Sequence, residues 1–487
     1  MKRTFYTKAM LLGGGVLILI VFSLWLAEAE GDTVSYHLPS ILFLSVFGWF
    51  LFLVSLLSWK MISGKWFSLY SIFITFAYLF TYGQCLMWAV GIHASDEIGN
   101  TLLYTFPAPA EIDIIKTQLV TLVCLYVFHI GAVFGYQGDE KKASGKEPVG
   151  TAFNRRSLFQ VSVIANIIST PLMFWSIVRN ISINSRYGYG AALYNSDVVA
   201  SQNNIVLLLR LMYIPSIFGM LIASQYDKKI MKTCYLSFGV FTALGVFAGD
   251  RGEWLFPLLL LVWMHHKCYK KIDFRHMLRY IVGGLFLIIL AVAVRNSRSK
   301  GVTVSGLREA TIGEKNPVIS AVFELGSSMK PTLIVLRYGE KIYPFGNSYF
   351  HALEGMVTER VIMLFQPDYT SLSGWFSHTF LRITYGAGFS FVAEAIVNYG
   401  KYGGLIALII LGFIFARGFF SLESLDYANR PLKMFLGIST AYAMMQTIRN
   451  TLLVGTKTWF FSTILIYLLY LGYSEILRRR TDEYIST

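Results

Sequence analysis

Charge is scarce along this chain. Asp, Glu, Lys and Arg make up 14% of its 487 residues, against roughly 25% in soluble domains. That shortage excludes an ordinary water-soluble globular protein. Cysteine is nearly absent as well. Cys85, Cys124, Cys234 and Cys268 lie in apolar stretches or at a basic edge, which excludes a disulfide framework and a paired thiolate metal site. Neither Gly-x-x-x-x-Gly-Lys nor His-Glu-x-x-His occurs, so coupling to a bound nucleotide is not expected. No Asp-x-Asp pair is present either, and the sequence calls for no metal and no cofactor.

What fills the chain instead is apolar sequence, 55% of residues, with mean hydropathy +0.54. A membrane-crossing helix needs ~20 such residues in a row. Twelve stretches qualify, at about 9–27, 40–58, 66–90, 115–135, 158–178, 205–225, 231–248, 254–266, 279–294, 403–420, 432–448 and 459–476. The expectation is therefore an all-α polytopic integral membrane protein with about 12 transmembrane helices. Ala27-Glu28-Ala29 resembles a signal-peptidase site, but the preceding apolar run exceeds the usual 7–15 residues of a signal peptide and reads as an anchor.

The net charge of +14 suits topology better than nucleic acid. With the N-terminus inside, the inner loops hold Lys60 and Lys65, Lys141 to Arg156, Lys228 to Lys232, Lys267 to Arg279, Arg417 to Lys433, and Arg478 to Arg480. Outer loops of similar length hold few cations. Such asymmetry orients membrane proteins with the basic loops in the cytoplasm, and it puts both termini there. The chain then divides into spans 1–4 as scaffold (1–137), a flexible cytoplasmic linker (138–157), spans 5–9 (158–294), one large outer loop before the tenth span (295–402), and spans 10–12 with a cytoplasmic tail (403–487).

That outer loop is rich in Tyr343, Tyr349, Phe350, Trp375 and Phe376 and carries His351, His378, Glu324, Glu354, Glu359 and Asp368. A long connection of this composition is functional more often than filler. Arginines gather on the same side. Arg179 and Arg186 stand among Asn, Ser, Tyr and Gly, which reads either as a sugar-contacting loop or as an interfacial belt with snorkelling cations. Arg210 sits inside the sixth span, where an ionisable group is costly and marks a site by default. Asp250-Arg251-Gly-Glu253 forms a charged turn, in which the acids could orient Arg251. Arg295 and Arg298 are three apart, on one face of a continuing helix, and Arg449 follows the eleventh span. Planar guanidiniums offer paired donors to phosphate oxygens, so this convergence points to an anionic, diphosphate-bearing lipid headgroup.

Three motifs carry a resemblance. Gly386-x-Gly388-x-Ser390-Phe-Val-Ala-Glu394-x-x-x-Asn398-x-Gly400-x-x-Gly403 precedes an apolar span; Gly-Asp-Arg251-Gly forms a turn; and Arg179 with Gly190, then Arg295 with Gly306, repeat one spacing in two outer loops. Together with the topology, these residues resemble bacterial O-antigen polymerases, the Wzy-type oligosaccharide repeat-unit polymerases. Asp250 stands where Ser is commoner in that family.

The resemblance implies a GT-C-like glycosyltransferase of the bacterial inner membrane, working at the periplasmic face. It would move a glycan as a block from undecaprenyl diphosphate to a sugar hydroxyl of another lipid-linked unit, in O-antigen or related polysaccharide synthesis. Arg251, Arg295, Arg298 and Arg449, with Arg179 and Arg186, would bind diphosphate or sugar. His378 or Glu394 would be the catalytic base, although Glu394 could instead pin the loop by bonding an arginine. Membrane lipids and a separate chain-length regulator are the expected partners. An O-antigen ligase uses the same donor and is the nearest alternative. A flippase for lipid-linked sugars is the other, weakened by the lack of a repeat between the two halves.

Overall fold

The computed structural model describes residues 2–30, 38–94, 97–100, 107–136, 151–187, 204–248, 252–273, 317–339, 342–383 and 387–486, with a few positions between 275 and 287. Every regular element among them is helical. The helices that matter here are α1 (Lys2–Glu30), α2 (Leu38–Ser63), α3 (Leu69–Trp88), α4 (Glu111–Gly135), α5 (Thr151–Tyr187), α6 (Tyr213–Ala223), α7 (Lys228–Ala248) and α8 (Gly252–Met264). They are followed by α9 (Pro317–Leu325), α10 (Lys330–Tyr338), α11 (Ser348–Glu354), α12 (Arg360–Met363), α13 (Phe391–Gly418), α14 (Pro431–Gln446), α15 (Leu452–Trp459) and α16 (Leu465–Ser486).

Among the described residues nine helices are long and apolar enough to cross a membrane. Eight of them coincide with expected spans. The sixth, eighth and eleventh expected spans appear as the shorter Arg210–Ala223, α8 and α14. The ninth, 279–294, lies largely outside the described residues.

The remaining long helix was not expected. Residues 319–338, inside the stretch read as a loop, form α9 and α10 joined by a 3-10 turn. Phe323 accepts a hydrogen bond from the Gln84 side chain at 2.7 Å, one turn from the end of α3, and Arg337 pairs at 3.6 Å with Asp113 in the first turn of α4. Both contacts lie at one end of the bundle. This helix therefore lies across that end instead of running through.

The opposite end gathers the basic loops. Lys65 and Lys267 both donate to the Glu423 carbonyl, at 3.1 and 2.6 Å, and Arg155 donates to the Ala428 carbonyl at 2.7 Å. Loops that the charge count assigned to one side thus meet on one side.

The centre is α4, almost wholly enclosed, with α3 and α13 against it. Gly131 and Gly135 on α4 let α13 come into backbone contact. A Cβ at Gly131 would stand 2.0 Å from the Ile409 carbonyl oxygen, and one at Gly412 would stand 2.1 Å from that of Phe128. Small residues four apart are a usual device for close approach of membrane helices, where packing replaces the hydrophobic drive. His129 is buried in the same core, between the Ser58 hydroxyl and the Tyr70 phenol at 2.7 Å each, so three helices share one polar contact. Around the rim, α1 and α2 expose Leu17, Ile20, Phe43 and Phe50, as lipid-facing helices do.

One element bends back on itself. Gly400 has φ 72° and ψ 174°, a region essentially open only to glycine. The arm 391–399 consequently folds against the arm 401–418. A Cβ at Gly404 would lie 3.1 Å from the Ala395 carbonyl carbon, and Phe391 and Phe415 both pack on Phe128.

Candidate active site

The short arm of α13 begins in the middle of the bundle because of what precedes it. Ser390 caps the arm by accepting from the Ala393 N–H at 3.2 Å. Just ahead, the Phe389 N–H donates to the Arg449 carbonyl at 3.1 Å, and the Phe391 N–H donates to the Thr447 carbonyl at 3.2 Å. Residues 447–451 are themselves the break between α14 and α15. Two interrupted backbones thus satisfy each other's polar groups, which is what non-helical chain must do inside an apolar bundle. The half-buried Arg449 guanidinium rests 5.9 Å from the Phe80 ring. Phe80 is about 12 Å along α3 from its end at Trp88, taking 1.5 Å per residue. The seam is sunk, not superficial.

Glu394 lies one turn into the arm and is 1% exposed. Its two oxygens have separate partners: Oε1 accepts from the Ser348 hydroxyl at 2.7 Å, and Oε2 accepts from the Leu452 N–H at 2.6 Å. Asn398, a turn later, completes the knot. Its amide donates to Ser348 Oγ at 2.9 Å and to the Glu394 carbonyl at 3.0 Å, while its oxygen accepts from the Ser348 N–H at 2.8 Å. The carboxylate therefore ties α11, α13 and the start of α15 together. The expected bond to an arginine gives way to a hydroxyl and a backbone amide.

His378 reaches the same seam through its own turn. Ser377 Oγ accepts from the Ala387 N–H at 3.1 Å, and Phe376 packs edge-on against Phe389 at 5.1 Å. His378 itself is exposed, with Nδ1 3.2 Å from the Ile383 carbonyl. A carbonyl only accepts, so Nδ1 is the donor in this contact. His351 lies on α11. Buried at 8% exposure, it places Nδ1 2.9 Å from Glu354 and Nε2 2.7 Å from the Phe345 carbonyl. Both of its nitrogens are engaged.

Beside His351 stand Tyr343 and Tyr369. Burial, reinforced by Tyr369, pushes the Tyr343 phenol far up, and burial with the nearby Glu359 charge lifts Tyr369 to about 12. Tyr343 donates to the Thr370 carbonyl at 2.8 Å.

The other expected site residues fall elsewhere. Arg179 stacks 5.4 Å from Trp175 on its own helix. Arg186 is helical, but its side chain is outside the described residues, and so are Arg251, Arg295 and Arg298. Glu253, expected beside Arg251, forms a two-pronged pair with Arg210 at 2.9 and 3.3 Å, and Ser176 accepts from the same guanidinium at 3.3 Å. The intramembrane cation thus has a partner of opposite charge. Sequence reasoning missed Ser348 and the Leu452 amide altogether. The only signal pointing to them was the Glu394-x-x-x-Asn398 spacing, which puts both side chains on one helix face.

The arrangement offers a cation at a backbone seam, an exposed histidine on an adjoining turn, and a buried carboxylate bonded to both Ser348 and the Leu452 amide. A family model described as O-antigen polysaccharide polymerase Wzy matches residues 15–481. No curated protein and no solved structure matches the chain.

Proposed function

The chain belongs to the O-antigen polysaccharide polymerase family, and from that premise we propose that it joins lipid-linked oligosaccharide repeat units at the periplasmic face of the inner membrane. The glycan leaves undecaprenyl diphosphate as a block and passes to a sugar hydroxyl of another lipid-linked unit. One observation supports the reading: the segment 387–391 is tied both to the break at 447–451 and, through Ala387 and Ser377, to the turn that carries His378.

In the reaction the bond from anomeric carbon to diphosphate oxygen breaks, and the electron pair goes to the diphosphate. Arg449 receives the growing charge, aided by Arg251, Arg295, Arg298, Arg179 and Arg186. A single positioned donor of this kind is worth about 2.7–4 kcal/mol. The acceptor hydroxyl loses its proton to the His378 imidazole as the new glycosidic bond forms. Glu394 has each oxygen occupied by a donor, so its part is to hold the seam.

The reading keeps twelve crossings in a GT-C-like arrangement by counting Arg210–Ala223, α8, α14 and the 279–294 stretch as further spans. Both termini are then cytoplasmic. A separate chain-length regulator remains its proposed partner.

The test is Arg449→Ala in a strain lacking the native gene, with surface polysaccharide run on a gel. Loss of long chains with single-repeat bands retained supports polymerisation. Loss of the single-repeat band as well points to ligation instead. An unchanged ladder at normal expression removes Arg449 from the site.

A further inference from the structure

The segment 348–366 exposes more large apolar side chains than a water-facing connection tolerates. Phe350 is 63% exposed, Leu353 57%, Leu364 79% and Phe365 84%, with Val357 and Val361 beside them. On α1, Leu17 is 63% exposed, so these residues match a lipid-facing helix. Contiguous exposed apolar surface of this kind marks an interaction face.

Where the segment lies decides what covers it. Ala352 accepts from the Thr456 hydroxyl at 2.6 Å, a Cβ at Gly355 would stand 3.2 Å from Leu453 Cδ1, and Glu359 pairs with Lys457. Leu453, Thr456 and Lys457 belong to the first two turns of the apolar run Leu452–Arg479, one of the membrane-length helices. The segment is therefore beside a crossing helix, not beyond its end. Its start is fixed by Tyr349, which packs on Tyr399 at 5.6 Å, next to Lys401 and Tyr402 at the Gly400 turn. Tyrosine with a flanking cation is the composition of a membrane–water boundary. From that boundary α11 runs alongside α15 and Glu359, just before α12, reaches Lys457, with Arg360 and Asp368 exposed to bound the apolar face.

We propose that the segment 348–366 forms a shelf immersed in the bilayer, with Phe350, Leu353, Leu364 and Phe365 covered by lipid hydrocarbon of the leaflet at the Gly400 end. Short helices with an apolar face and a charged edge lie in membranes in this way. The shelf is joined through Ser348 to Glu394, so it borders the seam, and a lipid-borne substrate would pass across it. The lipid contact itself does not depend on which reaction the seam performs.

The test uses the full-length protein in lipid nanodiscs with a nitroxide label at Leu353→Cys or Phe365→Cys. The four native cysteines are buried. Leu17→Cys serves as the lipid-facing reference and Asp368→Cys as the aqueous one. Collision with oxygen, which concentrates in hydrocarbon, is compared with collision with a water-soluble nickel chelate. The expected result is an oxygen-to-nickel ratio like that at Leu17 and several-fold above that at Asp368. A ratio like that of Asp368 overturns the proposal. Exclusion of both reagents also overturns it, since a protein partner or a second copy would then cover the shelf. If Phe365→Cys does not accumulate, Leu364→Cys takes its place.

Discussion

By sequence Glu394 and His378 are both candidates for the base, with Glu394 also a candidate for pinning the loop, and their surroundings differ. Glu394 is buried with a donor on each oxygen, whereas His378 is exposed on its turn, and the proposed mechanism gives the proton transfer to the histidine. Glu394→Ala strands the Ser348 hydroxyl and the Leu452 N–H, and a buried unsatisfied donor costs about 1–3 kcal/mol. A lower Tm in detergent is expected, measured by intrinsic fluorescence. His378→Ala should leave Tm unchanged and slow chain elongation by about 10²–10⁴, the usual worth of a general base. Normal elongation in His378→Ala removes it from the mechanism. Only half of this pattern was legible in the sequence. The Glu-x-x-x-Asn motif drew attention to the helix face, but Ser348 lies 46 residues away and no local spacing announces it. Arg210 was legible as a costly cation, while its partner Glu253, 43 residues on, looked better matched to its neighbour Arg251.

Among elements, the apolar stretches were read well because a bilayer demands about 20 uninterrupted residues. The helix at 319–338 escaped because Glu324, Ser327, Ser328 and Lys330 dilute it. Its mean hydropathy, 1.3, equals that of Leu69–Trp88, but that helix carries no charged residue. The fold-back of α13 escaped too, since the sequence around Gly400 continues as a good helix on either side. Gly400→Ala should cost about 1–3 kcal/mol, the usual strain of such backbone for a residue with a side chain. The α4–α13 contact is more demanding. Gly412→Leu would force the two backbones apart, and loss of the folded monomer peak on size-exclusion chromatography is expected. Gly418→Leu, with nothing within 4 Å of its Cβ, should elute as wild type. Equal behaviour of the two variants would mean that these helices do not approach as described.

The whole molecule is polarised. One end collects Lys65, Lys267 and Arg155 around 423–428; the other carries the crosswise helix and the mouth of the seam. Charge counting anticipated which loops would gather at the first end, because the positive-inside bias is written into composition. It could not foresee the sunken seam, which arises from hydrogen bonds between segments nearly sixty residues apart. On the proposed topology, a membrane-impermeant thiol reagent added to spheroplasts should label Tyr399→Cys and leave Asn429→Cys untouched; the reverse pattern inverts the molecule.

The seam's chemistry is tested most directly by purified chain in liposomes, without any ion gradient, supplied with lipid-linked repeat units. Wild type should build a ladder of products, and Arg449→Ala should build it about 10²–10³-fold more slowly at unchanged Tm. A ladder of equal rate from the variant, or none from wild type until a gradient is imposed, would contradict the account.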